Sequence, residues 1–195
     1  MDDYGGSGSL LPQIIFIIIL TAINAFFAAS EMAFVSINKT KLKQMEEEGN
    51  KKAIAVLKLL SDQTKFLSTI QVGITLAGML SSASAAANIS SRWAPKLTMM
   101  GVPYAATISM VVVTMIISYI SLVFGELVPK RVALQNAEKV VFGSVGIINV
   151  FSKIFTPFVK LLSLSTTIVL KLIGKYSEDI EEKISEEEIK SLINV

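Results

Sequence analysis

Residues 10–35 read LLPQIIFIIILTAINAFFAASEMAFV, and Gln13, Asn24, Ser30 and Glu31 are the only strongly polar side chains among them. A helix rises about 1.5 Å per residue, so this stretch outspans a bilayer hydrocarbon core of about 30 Å. It is a membrane span and decides the class of the whole chain. The nine residues before it, MDDYGGSGS, carry two acids and no base. A secretory leader has the opposite charge and a shorter apolar core.

Composition agrees with a small membrane domain. Of 195 residues 52% are hydrophobic and 17% charged, against roughly a quarter charged in soluble domains, and the mean hydropathy is +0.60. Histidine and cysteine are absent, which removes zinc sites, thiol nucleophiles and His-based triads, so an enzyme is not expected. Oxygen ligands and lysine remain. The net charge of +2 hides an asymmetry, since residues 177–195 hold seven acids and two bases.

Two further apolar runs follow. Residues 66–88 are rich in Gly, Ala, Ser and Thr, the composition that lets membrane helices approach closely. Residues 104–128 are bounded by Pro103 and by Pro129-Lys130-Arg131. The expected fold is an all-α membrane protein with three transmembrane helices per subunit. Seven lysines lie between the first two spans, but only Arg92 and Lys96 lie between the second and third. By the positive-inside rule the N-terminus is outside, and the first loop and C-terminus are cytosolic; the expected location is the plasma (inner) membrane.

Residues 140–174 are apolar on one helical face but interrupted by Lys153, Pro157, Lys160 and Lys171. This predicts juxtamembrane amphipathic helices at the interface, broken near Pro157. Residues 38–60 predict two short helices with a turn at Gly49-Asn50. Beyond Lys175, Ser185 and Glu188 have capping-box spacing, and the acidic helix they start is expected to lead into a soluble region.

Ionisable groups inside spans are expensive and often mark ion paths. Glu31 and Glu126 are the candidates, each near the inner end of a span, where a carboxylate can also snorkel to water. Glu126 has distinctive neighbours. In an α-helix the amide of residue 129 would bond the carbonyl of Gly125, but Pro129 has no N–H to give. A freed carbonyl beside a carboxylate is a candidate cation site; a plain proline kink satisfied by water or a serine is the alternative. Mg²⁺ prefers six oxygens near 2.1 Å. Asn24 and Ser30 in the first span, and Ser81, Ser82, Ser84 and Asn88 in the second, offer neutral oxygens. Each hydroxyl can equally bond the carbonyl four residues back in its own helix.

Three stretches resemble one family: NAFFAASEMAFVSINKTKLKQMEEEGNKKA at 24–53, FLSTIQVGITLAGML at 66–80 and, most specifically, FGELVPKRVALQNAEKV at 124–140. They are similar to the transmembrane domain of the CorC and cyclin M (CNNM) proteins. The resemblance implies a homodimer in the lipid bilayer that exports Mg²⁺ as substrate, with Na⁺ as the coupling ion, followed by a cytosolic pair of ATP-binding CBS domains. It implies no nucleic-acid partner. Carried over, the Mg²⁺ ligands are the Glu126 carboxylate, the Gly125 carbonyl, and oxygens near Asn24, Ser30, Ser81 and Ser82. Na⁺ is expected at a nearby polar site, with Glu31 and Thr75 as candidates. The chain has Ala28 and Gly78 where many relatives carry a hydroxyl and an asparagine. The rival reading is a membrane anchor or sensor that transports nothing and relays the state of a soluble region.

Overall fold

A computed structural model describes residues 10–174. The tail before residue 10 and the acidic helix expected around Ser185 lie outside the described residues. Within them the chain forms α1 (Leu11–Ser36), α2 (Lys39–Glu47), α3 (Lys51–Leu60), α4 (Gln63–Asn88), α5 (Ser90–Met99), α6 (Ala105–Leu122), a π-helical turn (Val123–Leu127), α7 (Val128–Gln135) and α8 (Ala137–Leu172). No strand occurs among the described residues. Two compact units divide the chain, Met1–Ile154 and Phe155–Val195. The first holds α1 to α7 and the start of α8; the described part of the second is the remainder of α8 and Ile173–Gly174.

Local chemistry sets the helix ends. Asn38, Asn50 and Asp62 cap α2, α3 and α4, each side chain accepting from backbone N–H groups of the first turn, a contact worth about 1 kcal/mol. Gly49, at φ 78°, makes the left-handed turn between α2 and α3.

Four helical segments among the described residues are long and apolar enough to cross a membrane, where three were expected. The fourth is α8. Between Lys153 and Lys171 only Lys160 is charged. The expected break at Pro157 is also absent, since α8 is one helix with that proline inside it. Proline removes a single N–H donor, and in a long apolar helix the bonds on either side carry the helix past it. The third span likewise does not stop at Pro129, and helix continues to Gln135. Bare apolar side chains cover α1 and α6, including Ile14, Phe16, Ile18, Met115 and Tyr119. Such surface is tolerated in lipid and would drive aggregation in water. The chain is a multi-pass membrane protein.

Two buried apolar clusters hold the first unit together. One lies toward the α2–α3 end and joins Phe27, Ala33 and Phe34 of α1 to Phe66 and Ile70 of α4, Leu42, Val56, Ala133 and the first turns of α8. The other lies toward the α5 end and consists of Ile17, Ala85 and Val113, one from each of α1, α4 and α6. Ser109 Oγ donates to the Ser90 carbonyl at 2.8 Å and ties α6 to α5 there.

The α1–α4 contact depends on a glycine. A Cβ built on Gly73 would lie 2.8 Å from two ring atoms of Phe27, and that ring is hemmed in by Phe26 and Phe151. Gly78 on the same helix has open space around it. Gly73→Ala is therefore expected to destabilise the fold by about 1–3 kcal/mol through overpacking. Gly78→Ala should be neutral or stabilising by up to about 1 kcal/mol through helix propensity. Thermal unfolding of the two variants side by side checks this, and equal melting temperatures would contradict the packing.

Candidate functional site

Pro129 sits in the first turn of α7, and the helical turn just before it is widened. The amide of Val128 reaches five residues back to the carbonyl of Val123, which is π-helical spacing. Gly125 and Glu126 both lie inside that widened turn. The backbone is irregular at Gly125-Glu126, and the irregularity is a π-turn in a continuous helix and not a break.

Gly125 is buried against α1. A Cβ there would stand 2.9 Å from Asn24 Nδ2 and 3.4 Å from both the carbonyl oxygen and the Cγ2 of Thr21. The glycine backbone thus abuts the Asn24 amide directly. This contact puts the Gly125 turn level with Asn24, deeper than an end at Pro129-Lys130 had implied.

Ser81 joins the same slice of the bundle. Phe27 opposite Gly73 and Ile17 grouped with Ala85 fix the antiparallel pairing of α1 with α4. Interpolation at about 1.5 Å per residue sets Ser81 level with Thr21, and Asn24 about 5 Å along. Ser121, in the last turn of α6, lies about one turn before Gly125 of the π-turn. Asn24, Ser81 and Ser121 are all buried. Asn24 Oδ1, Ser81 Oγ and Ser121 Oγ have no hydrogen-bond partner, and Gln13 Oε1 is the fourth such atom among the described residues.

These groups separate the two apolar clusters. Along α1 Asn24 falls between Ile17 and Phe27, along α4 Ser81 falls between Ala85 and Ile70, and along the third segment Ser121 and Gly125 fall between Val113 and Ala133. Each unsatisfied buried oxygen costs about 1–3 kcal/mol. A layer that concentrates three of them beside a glycine with no side chain of its own suits a ligand that accepts lone pairs, namely a cation. Among the described residues no three of His, Cys, Asp and Glu converge. The donor set is neutral oxygens with one carboxylate nearby.

That carboxylate is engaged elsewhere. Lys130 Nζ lies 3.0 Å from Glu126 Oε1 and 3.1 Å from Glu31 Oε2, with all three side chains partly buried. One ammonium therefore holds both acids that the sequence places inside spans. Glu126 would have to turn off Lys130 to join the oxygen layer.

The remaining expected residues fall differently. Ser30 is buried, its hydroxyl donates to the Phe26 carbonyl at 2.7 Å, and it lies about 9 Å along α1 from Asn24. Ser82 is half-buried, a third of a turn round from Ser81. Thr75 is half-buried on α4, about 9 Å along from the level of Glu31. Sequence reasoning missed Ser121 and Lys130. Both stand four residues from a residue it did single out, Gly125 and Glu126, and that helical spacing was the available signal.

Comparison with known proteins follows the same helices. The family described as the cyclin M transmembrane N-terminal domain matches residues 14–195. A UPF0053 protein of Synechocystis is 39% identical over 189 residues, covering 96% of this chain and 42% of its own length. The UPF0053 protein YugS of Bacillus subtilis is 34% identical, covering 95% and 44%. The UPF0053 inner membrane protein YfjD of Escherichia coli is 27% identical, covering 88% and 38%. The chain thus spans about two fifths of the length of these curated relatives.

Proposed function

The chain belongs to the cyclin M transmembrane-domain family, and from that premise we propose that it carries Mg²⁺ across the membrane, exporting it from the cytosol in exchange for Na⁺. The observation that carries this reading is the set of buried, unpartnered oxygens at Asn24, Ser81 and Ser121, of which the Asn24 amide abuts Gly125 in the π-turn. Mg²⁺ sheds its water reluctantly and needs oxygens in near-octahedral order. The amide, the hydroxyls and the Gly125 carbonyl replace part of its hydration shell, and the Glu126 carboxylate supplies charge. One carboxylate among neutral donors binds weakly enough to let the ion go, which a carrier requires.

Three segments cross the bilayer in this reading: α1, α4, and α6 with its continuation into α7. Lys153, Lys160 and Lys171 are spaced by seven and eleven residues, which puts them on one face of α8. That favours a helix lying in the interface over a fourth crossing. The loop lysines put the N-terminus outside and the C-terminus in the cytosol. Two such chains form the working dimer, in the plasma (inner) membrane.

Flux tests the proposal. Purified protein is reconstituted into liposomes loaded with a Mg²⁺-sensitive dye, and Mg²⁺ and Na⁺ gradients are imposed separately. Mg²⁺ movement that follows the Na⁺ gradient is the expected result. No movement above protein-free liposomes would favour the anchor or sensor reading.

A further inference from the structure

Lys130 stands between the two span carboxylates, 3.0 Å from Glu126 and 3.1 Å from Glu31. It sits one turn beyond Glu126 on the far side of the π-turn, while Glu31 belongs to α1. The cluster carries two negative charges and one positive. We propose that Lys130 is a built-in counter-cation of the transport path, and that its ammonium and a divalent cation occupy the Glu126 carboxylate in alternation. This rests on Glu126 being a cation ligand in the reading above.

Charge and reach make the two occupants exclusive. A lysine ammonium is a compact point charge with three donors on a flexible stem. With a divalent ion on Glu126, that ammonium would face a double positive charge within a side chain's length, in partly buried surroundings where screening is weak. It has a second acid to go to. Glu31 already touches it, so Lys130 can release Glu126 and stay paired, without entering lipid as a lone charge. The same lysine returning to Glu126 displaces the departing cation, which keeps binding reversible. Glu31 acts as the parking acid, a positioning role and not a ligand role. A purely structural ion pair pinning α7 to α1 would look alike in the resting fold, but the two predict opposite effects on binding.

The test is Mg²⁺ affinity, by equilibrium dialysis of the purified full chain, for wild type, Lys130→Met, Glu31→Gln and Glu126→Gln. With the competitor gone, Lys130→Met is expected to bind Mg²⁺ about tenfold more tightly or better, while liposome flux falls because release slows. Glu31→Gln is expected to bind severalfold more weakly, since its lysine has only Glu126 left to hold. If Lys130→Met does not fold, Glu31→Gln/Lys130→Met removes one charge of each sign and should still bind more tightly than wild type. Affinity unchanged or weakened in a folded variant lacking Lys130 overturns the exchange. Wild-type affinity in Glu126→Gln would instead remove the ligand assignment itself, and the exchange with it.

Discussion

Glu126→Gln is expected to abolish Mg²⁺ transport in liposomes and to weaken Mg²⁺ binding by about 100-fold or more, because affinity for hard cations follows ligand charge count. The substitution keeps the shape of the side chain and removes only its charge. Lys130 retains Glu31 as a partner at 3.1 Å, so the contact between α7 and α1 persists and the fold should survive. Size-exclusion elution and melting temperature close to wild type would establish that the loss is local. A folded Glu126→Gln protein with wild-type flux would remove the carboxylate from the mechanism.

Gly125→Ala carries the second large effect and needs no change of charge. The new methyl would stand 2.9 Å from Asn24 Nδ2, so the amide must shift by some tenths of an ångström away from the turn it faces. The Thr21 contacts, at 3.4 Å, are ordinary. Alanine also favours helix over glycine by up to about 1 kcal/mol, which leaves global stability unchanged or slightly higher. Mg²⁺ binding should nevertheless fall about tenfold or more, since the Asn24 oxygen and the Gly125 backbone no longer meet one ion. Asn24→Ala should produce a similar loss, and the double variant little further loss, because both changes break one contact. Additive losses in the double variant would show that the two residues act separately.

Much of the fold was legible in the chain, and the exceptions have identifiable causes. Apolar length set α1, α4 and α6, and Gly49-Asn50 marked the turn between α2 and α3, because a left-handed glycine and an Asn cap are local devices. Prolines were read too literally. Pro129 and Pro157 both sit inside continuing helix, since apolar surroundings penalise any further unpaired backbone and keep the rest of the ladder closed. The helix α5 was not anticipated, as it follows α4 after Ile89 alone and has Pro95 inside it, and its tie to α6 through Ser109 and Ser90 is tertiary.

The site divides in the same way. That Gly125 and Glu126 form a backbone irregularity followed from one missing N–H. That Asn24 faces Gly125 required the packing of α1, since the two are about a hundred residues apart. Ser30 illustrates the limit: a buried serine in a span was a reasonable ligand candidate, yet its hydroxyl is committed to Phe26. Ser81, one of two adjacent candidates, is the one that is buried without a partner, whereas Ser82 is only half-buried. The link between Lys130 and Glu126 was present as a four-residue spacing, whereas the link to Glu31 is tertiary and had no local trace.

Anomalous diffraction from the protein crystallised with Mn²⁺, an electron-rich stand-in for Mg²⁺, tests the central claim most directly. The account predicts one strong peak per chain between the Gly125 carbonyl, Asn24, Ser81 and Glu126, with metal–oxygen distances near 2.1–2.2 Å and the Lys130 ammonium moved onto Glu31. A peak confined to surface acids such as Glu46–Glu48, with Glu126 still on Lys130 and the oxygen layer empty at saturating Mn²⁺, would contradict it.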